Sequence, residues 1–273
     1  MTFLLSWPLW LSALFAYLIA TAAALALSVA ATAWMRRRSV RLAGVAGLIA
    51  TIGSPMMAGF VVWLGLTASV ELRDFSDADR AVRSEASALY TLNALAASAA
   101  PTATAGWSAQ LADYGHKALT REWPAMSWTG SDADTGRQLH HLRTEALRRF
   151  AAESPDLRTA LGQTLQALSA ARDNRLAIAT GHLPSVVWSA MLICAFIVLT
   201  FAALTHANQP RSSRWICLLM GLFIGVQLHA VYVIDRPFVG AVATSDAPLR
   251  HAVQRLQDAP LRHAVQRLQD AAR

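Results

Sequence analysis

The stretch "SVVWSAMLICAFIVLTFAAL", residues 185–204, decides the fold. It contains no charged side chain and matches the roughly 20 apolar residues that carry a helix across a bilayer core. Three more blocks of the same kind surround it. Met1 to Trp34 and Trp215 to Ile234 hold no charged side chain, and Val40 to Ala68 holds only Arg41. The spacing predicts four transmembrane helices near 9–33, 42–67, 185–205 and 215–234. The composition agrees: 55% of the 273 residues are hydrophobic and 15% charged, where a soluble domain carries about 25% charged residues. The first block is expected to be a retained span and not a cleaved signal peptide. No basic residue precedes it, its apolar run is too long, and arginines follow it.

Tryptophan placement fits a bilayer. Trp7, Trp10, Trp34, Trp63, Trp188 and Trp215 lie near span ends, six of the nine in the chain, where amphipathic rings prefer the headgroup level. The net charge of +7 is not a nucleic-acid signal, because residues 68–183 carry 12 basic and 13 acidic side chains. The surplus sits in loops and tails flanking the spans, where basic residues orient a membrane protein. Arg36, Arg37, Arg38 and Arg41 in one short loop, and Arg211 and Arg214 in the other, place both loops in the cytoplasm by the positive-inside rule. The helical block between spans two and three then lies on the outer face. Cys194 and Cys217 fall inside apolar spans and read as small hydrophobes, with no disulfide framework and no zinc spacing.

The chain is therefore expected to be all-α and polytopic, organised as 1–67 (spans one and two), 68–183 (a helical extramembrane domain), 184–235 (spans three and four) and 236–273 (an amphipathic tail). Within 68–183, helical periodicity covers 69–100 and ends at Pro101, and a second segment runs from Trp107 to Trp123 before Pro124. A third covers 137–152, and a fourth opens at Ser154-Pro155, an N-cap followed by proline, and runs to Gly181. The tail repeats "APLRHAVQRLQD" identically at 247–258 and 259–270. Leu249, Ala252, Val253 and Leu256 form one apolar stripe. Two copies are too few for a solenoid, so the second is expected to be dispensable.

Four patterns carry a resemblance: "SEASALYTLNAL" (84–95), with Glu85; "YGHKALTREWPAM" (114–126), with Tyr114, Glu122, Trp123 and Pro124; "RDNRLAIATGHLPSVVW" (172–188), with Arg172, Arg175, Pro184 and Trp188; and "IDRPFVGAV" (234–242), with Asp235, Pro237, Phe238 and Gly240. In this order and spacing they resemble the bacterial bestrophin-like family of integral membrane proteins, over residues of about 40 to 245. The family is named after bestrophins, which are pentameric anion channels. The resemblance implies a homo-oligomer, a pentamer by that likeness, in the bacterial inner membrane, with lipid and an anion as partners. It also implies a cytosolic helical block, opposite to the charge reading.

The residues leave two functions open: an oligomeric anion pathway, or a non-conducting, membrane-anchored binding or sensing module. For the first, Ile52, Met56, Phe60 and Trp63 recur at intervals of four, four and three and would line the pathway as an apolar constriction. For the second, the same stripe packs against another span. Asp235 and Arg236 mark the interface end of span four, since a charge deeper in the bilayer costs about 2.5–3.5 kcal/mol. Asp235 either closes an ordinary helix exit or pairs with Arg172 or Arg175. Glu85 and Glu122 suit salt bridges to nearby arginines better than an acid pair. The adjacent His140 and His141 point about 100° apart on a helix, which disfavours a metal chelate. No cofactor fingerprint, P-loop or Ser-His-Asp grouping appears, and no enzyme is expected.

Overall fold

The structure is a computed structural model that describes residues 9–38, 46–126, 130–207, 209–240 and 242–258. The second copy of the tail repeat and Arg41 of the first short loop lie outside these residues. The protein is all-α, with no strand among the described residues. Its helices are α1 (Leu9–Arg38), α2 (Ala46–Ala97), α3 (Pro101–Thr104), α4 (Trp107–Lys117), α5 (Trp123–Ala125), α6 (Ala133–Arg149), α7 (Pro155–Thr180), α8 (Ser185–Thr205) and α9 (Pro210–Ile234). A further helix, α10, covers 247–258. Stretches in α1, α2, α8 and α9 are long and apolar enough to cross a membrane.

The second span and the first extramembrane helix are one element. α2 has 52 residues, about 78 Å at 1.5 Å per residue, well beyond a hydrocarbon core of about 30 Å. Nothing between Leu66 and Ala97 breaks it, because neither proline nor glycine occurs there. Pro55 lies inside the apolar part of this helix.

The chain divides into two compact units. The first comprises residues 1–75 and 182–242. Its core joins Ala24 of α1, Phe60 and Leu64 of α2, Met191, Ala195 and Leu199 of α8, and Cys217 and Ile224 of α9. Small residues let α1 and α9 approach closely, as is usual where no hydrophobic driving force separates helix from lipid. A Cβ placed on Gly221 would lie 2.7 Å from Ala24 Cβ and 2.9 Å from the Ala20 carbonyl oxygen. The buried hydroxyls of Ser28 and Ser213 bond to each other at 2.8 Å across the same interface, satisfying two polar groups that lipid could not.

The second unit comprises residues 76–181 and 243–273. Its core holds Leu89 and Leu92 of α2, Trp107 and Leu111 of α4, Leu142 of α6 and Leu168 of α7. Trp107 meets Phe150 edge-on at 5.4 Å. The tail belongs to this core: Leu249, Ala252, Val253 and Leu256 are all buried, and Arg255 lies over the Tyr90 ring at 5.5 Å. The caps follow sequence chemistry. Ser154 accepts from Leu157 N–H to start α7, with Pro155 at the first helical position. Asp132 accepts from Thr135 N–H at 2.8 Å, so α6 starts at Ala133 rather than near 137.

Trp107 to Met126 holds the least regular backbone. α4 passes directly into a π-helical turn, Ala118–Glu122, and then into α5. Here Trp123 N–H reaches back to the Ala118 carbonyl. The wider turn accommodates Pro124, whose ring would otherwise meet the carbonyl four residues earlier and which has no N–H to donate. Pro124 therefore does not end the helical path; Met126 N–H still bonds to the Glu122 carbonyl at 2.9 Å.

Candidate functional site

Four elements of the second unit converge on one buried cluster. α2 contributes Glu85, α4 contributes Tyr114, and the π turn contributes Glu122. α7 contributes Arg172 and Arg175, three residues apart and therefore on one helical face. Arg175 Nε donates to Glu85 Oε2 at 2.7 Å, and its Nη2 donates to Glu85 Oε1 at 3.2 Å and Glu122 Oε2 at 2.7 Å. Its Nη1 lies 3.1 Å from Met126 Sδ, and its guanidinium carbon is 5.9 Å from the Trp123 ring centroid. Arg172 Nη2 donates to Glu122 Oε1 at 2.5 Å. Tyr114 Oη donates to Glu85 Oε1 at 2.6 Å. Glu85, Glu122, Tyr114 and Arg175 are fully buried.

Two carboxylates face two guanidiniums, so the cluster is neutral as a whole. Burial works to lower the basicity of Arg175, but the charge and hydrogen bonds of Glu85 outweigh it and hold the group above its usual value. Burial, followed by the charge of Glu85, pushes the Tyr114 hydroxyl well above the ordinary phenol range. Tyr114 therefore stays a donor and never competes for the arginine. Every nitrogen of Arg175 is engaged, and both carboxylates are spoken for. Such an arrangement can fasten three helices together; it offers no free base or nucleophile.

Asp235 sits elsewhere, in the first unit, where it closes the helix exit and does not pair with Arg172 or Arg175. Arg172 and Arg175 are taken by Glu122 and Glu85. Asp235 caps α9 through its backbone, donating N–H to the Val231 carbonyl at 2.9 Å. Its Oδ1 accepts from Leu183 N–H at 2.6 Å, just ahead of Pro184, the N-cap of α8. Burial raises the carboxyl above its ordinary value, while the Leu183 N–H opposes that shift. The chain thus ties the exit of α9 to the entry of α8. Trp188 meets Tyr232 edge-on at 6.3 Å beside this junction. Pro237 and Phe238 are buried, and Gly240 adopts φ 99°, which only glycine accepts readily.

The α2 stripe splits. Ile52 is 50% exposed and Met56 is also exposed, Trp63 is half-buried, and Phe60 is only 4% exposed, packed in the first unit's core. Positions 52, 56, 59, 63 and 66 lie within about 40° of one line at 100° per residue, whereas 60 stands about 80° away. Gly59 and Leu66 complete the open line. His140 and His141 are both exposed. Sequence reasoning passed over one buried group, His229 of α9, although an imidazole in an otherwise apolar span is itself a signal.

Comparisons with known proteins bear on the family and the fold. The model of the bestrophin-like domain matches residues 17–249. Among solved structures, two single-substitution variants of a bacterial bestrophin homologue from Klebsiella pneumoniae are similar in fold. One is 14% identical with a TM-score of 0.67, covering 90% of this chain and 99% of that one. The other is 15% identical with a TM-score of 0.70, covering 90% and 97%. No curated protein matches the sequence.

Proposed function

The chain belongs to the bestrophin-like family, and from that premise we propose that it forms a homo-oligomeric, most simply pentameric, anion channel in the bacterial inner membrane. The observation that carries the reading is the open face of α2. Ile52, Met56 and Leu66 stand exposed on a span whose other side, at Phe60 and Leu64, is packed into the protomer. Gly59 lies in the same open line, with no atom within 4 Å of a Cβ placed there. A second copy of α2 can approach such a face closely. Several copies around an axis would set Ile52, Met56 and Trp63 inward as an apolar neck that opens by wetting. Phe60 supports that neck from behind. No basic side chain occurs between Thr51 and Leu72, so selectivity falls to backbone, helix ends or the width of the neck.

The test is halide flux in liposomes reconstituted with the purified chain, and its mass in detergent. Met56→Ala and Ile52→Ala widen the neck and raise flux. A protein that folds, assembles and passes no halide in wild-type or variant form is instead a membrane-anchored module.

A further inference from the structure

The groove between α1, α8 and α9 has no role in the reading above. It encloses about 410 Å³, at the small end of the roughly 300–1,000 Å³ of ligand pockets. Its chemistry is graded along its length. Leu27, Leu199 and Ile224 line one part, deep within their helices. Trp188 near the start of α8 and His229 and Tyr232 near the end of α9 line the other. Aromatic and polar groups thus gather at the end of the groove beside the junction at Asp235, where α9 leaves the apolar span.

His229 is 8% exposed, and its Nε2 has no hydrogen-bond partner among the described residues. An orphaned nitrogen in that setting costs free energy unless a ligand supplies an acceptor. Beyond the residues that line the groove, Arg236 has an Nε buried without a partner among the described residues, and its guanidinium lies over the Tyr232 ring at 6.0 Å. The Tyr232 ring is also 6.4 Å from that of His229, so the three side chains form a ladder along one side of α9. The neighbouring carboxylate, Asp235, is engaged by Leu183 N–H. Among the described residues, no Asp or Glu lines the groove.

We propose that this groove binds one long-chain fatty acid, its acyl chain in the apolar depth and its carboxylate at His229. The carboxylate offers an acceptor to the orphaned His229 nitrogen, and the volume suits a single chain. The bilayer supplies the amphiphile. The inference is independent of whether the protein conducts ions.

Trp188 provides the probe. The full chain, delipidated and reconstituted in nanodiscs, is titrated with stearic acid brominated at mid-chain, and separately embedded in phosphatidylcholine carrying the same brominated chain. Tryptophan quenching is read in wild type and in Trp188→Phe. The free acid should quench saturably, and Trp188→Phe should lose the saturable part. His229→Leu should raise the half-saturating concentration about tenfold or more, the loss of one hydrogen bond to a charged group. Ala23→Phe, at an exposed rim position, should abolish saturable quenching and needs no buried change, so it decides the matter if His229→Leu fails to fold. Three results overturn the proposal: no saturable quenching by the acid, unchanged binding in Ala23→Phe, or Trp188-dependent quenching by the phospholipid that free acid does not displace.

Discussion

Replacing Arg175 by Met should loosen the second unit more than any other single change in the buried cluster. The substitution keeps the aliphatic volume and removes the charge. Arg172 remains on Glu122, so the carboxylate left uncompensated is Glu85, fully buried with Tyr114 as its remaining partner. Removing one member of a buried pair costs about 3–5 kcal/mol, against a total stability of about 5–15 kcal/mol for a domain. At about 1.4 kcal/mol per factor of ten, that is a rise of roughly a hundredfold to several thousandfold in the population of opened forms. Hydrogen exchange on the full chain in detergent reads this directly in peptides from α4 and α7, with peptides from α8 as the internal reference. The double variant Glu85→Gln/Arg175→Met removes the stranded charge and keeps an acceptor for Tyr114, so most of the protection should return. Less than a tenfold loss in Arg175→Met refutes the reasoning. So does a double variant no better protected than the single one, since the coupling between the two positions would then be absent.

Gly221→Val should prevent α1 from seating on α9, because its Cβ would meet the Ala20 carbonyl at 2.9 Å and Thr21 Cα at 3.1 Å; loss of the monodisperse peak on gel filtration checks it. Gly162→Ala, where a Cβ meets nothing within 4 Å in mid-helix, should instead stabilise by about 0.5–1 kcal/mol, read as a higher melting temperature. Leu256→Asp should unseat the tail from the second unit and lower the melting temperature, whereas deleting 259–273 should leave it unchanged. Tyr114 keeps its proton in the fold while the unfolded chain loses it near pH 10. The fold's advantage from that group is therefore complete below about pH 10 and declines as pH rises above it. Tyr114→Phe should flatten that part of the alkaline unfolding curve.

The spans were legible because the absence of charge over twenty residues is a local property that needs no partner to interpret. The start of α7 was legible for a similar reason: Ser154-Pro155 is a chemical instruction written in adjacent residues. Other features depended on what a local reading omits. Pro124 reads as a terminator, but the π turn before it absorbs the missing N–H and the bulk of the ring. Asp132 starts α6 early because its side chain accepts from Thr135, inside a stretch whose glycines and aspartates read as loop. The join of the second span to the first extramembrane helix was hidden by the change from apolar to charged composition, which marks an environment and not a helix end. Spacing of four, four and three put Phe60 with Ile52 and Met56, but accumulated rotation turned it about 80° away, toward α8 and α9.

Glu85 and Arg175 stand 90 residues apart in the chain, and no periodicity links them; only the packing of α2 against α7 does. That pairing also explains why the two buried polar clusters differ in character. In the second unit, each guanidinium and carboxylate of the cluster has found its counterpart, and Tyr114 takes up a remaining lone pair of Glu85. A charge set that is neutral and saturated leaves nothing for a ligand to satisfy, so its consequence is mechanical. In the first unit, Asp235 is consumed by the Leu183 N–H, while His229 and Arg236 retain unanswered nitrogens. Low dielectric makes an answered pair rigid and an unanswered donor costly. The same physics that makes the Glu85–Arg175 cluster a clasp makes the His229 groove a place for a guest.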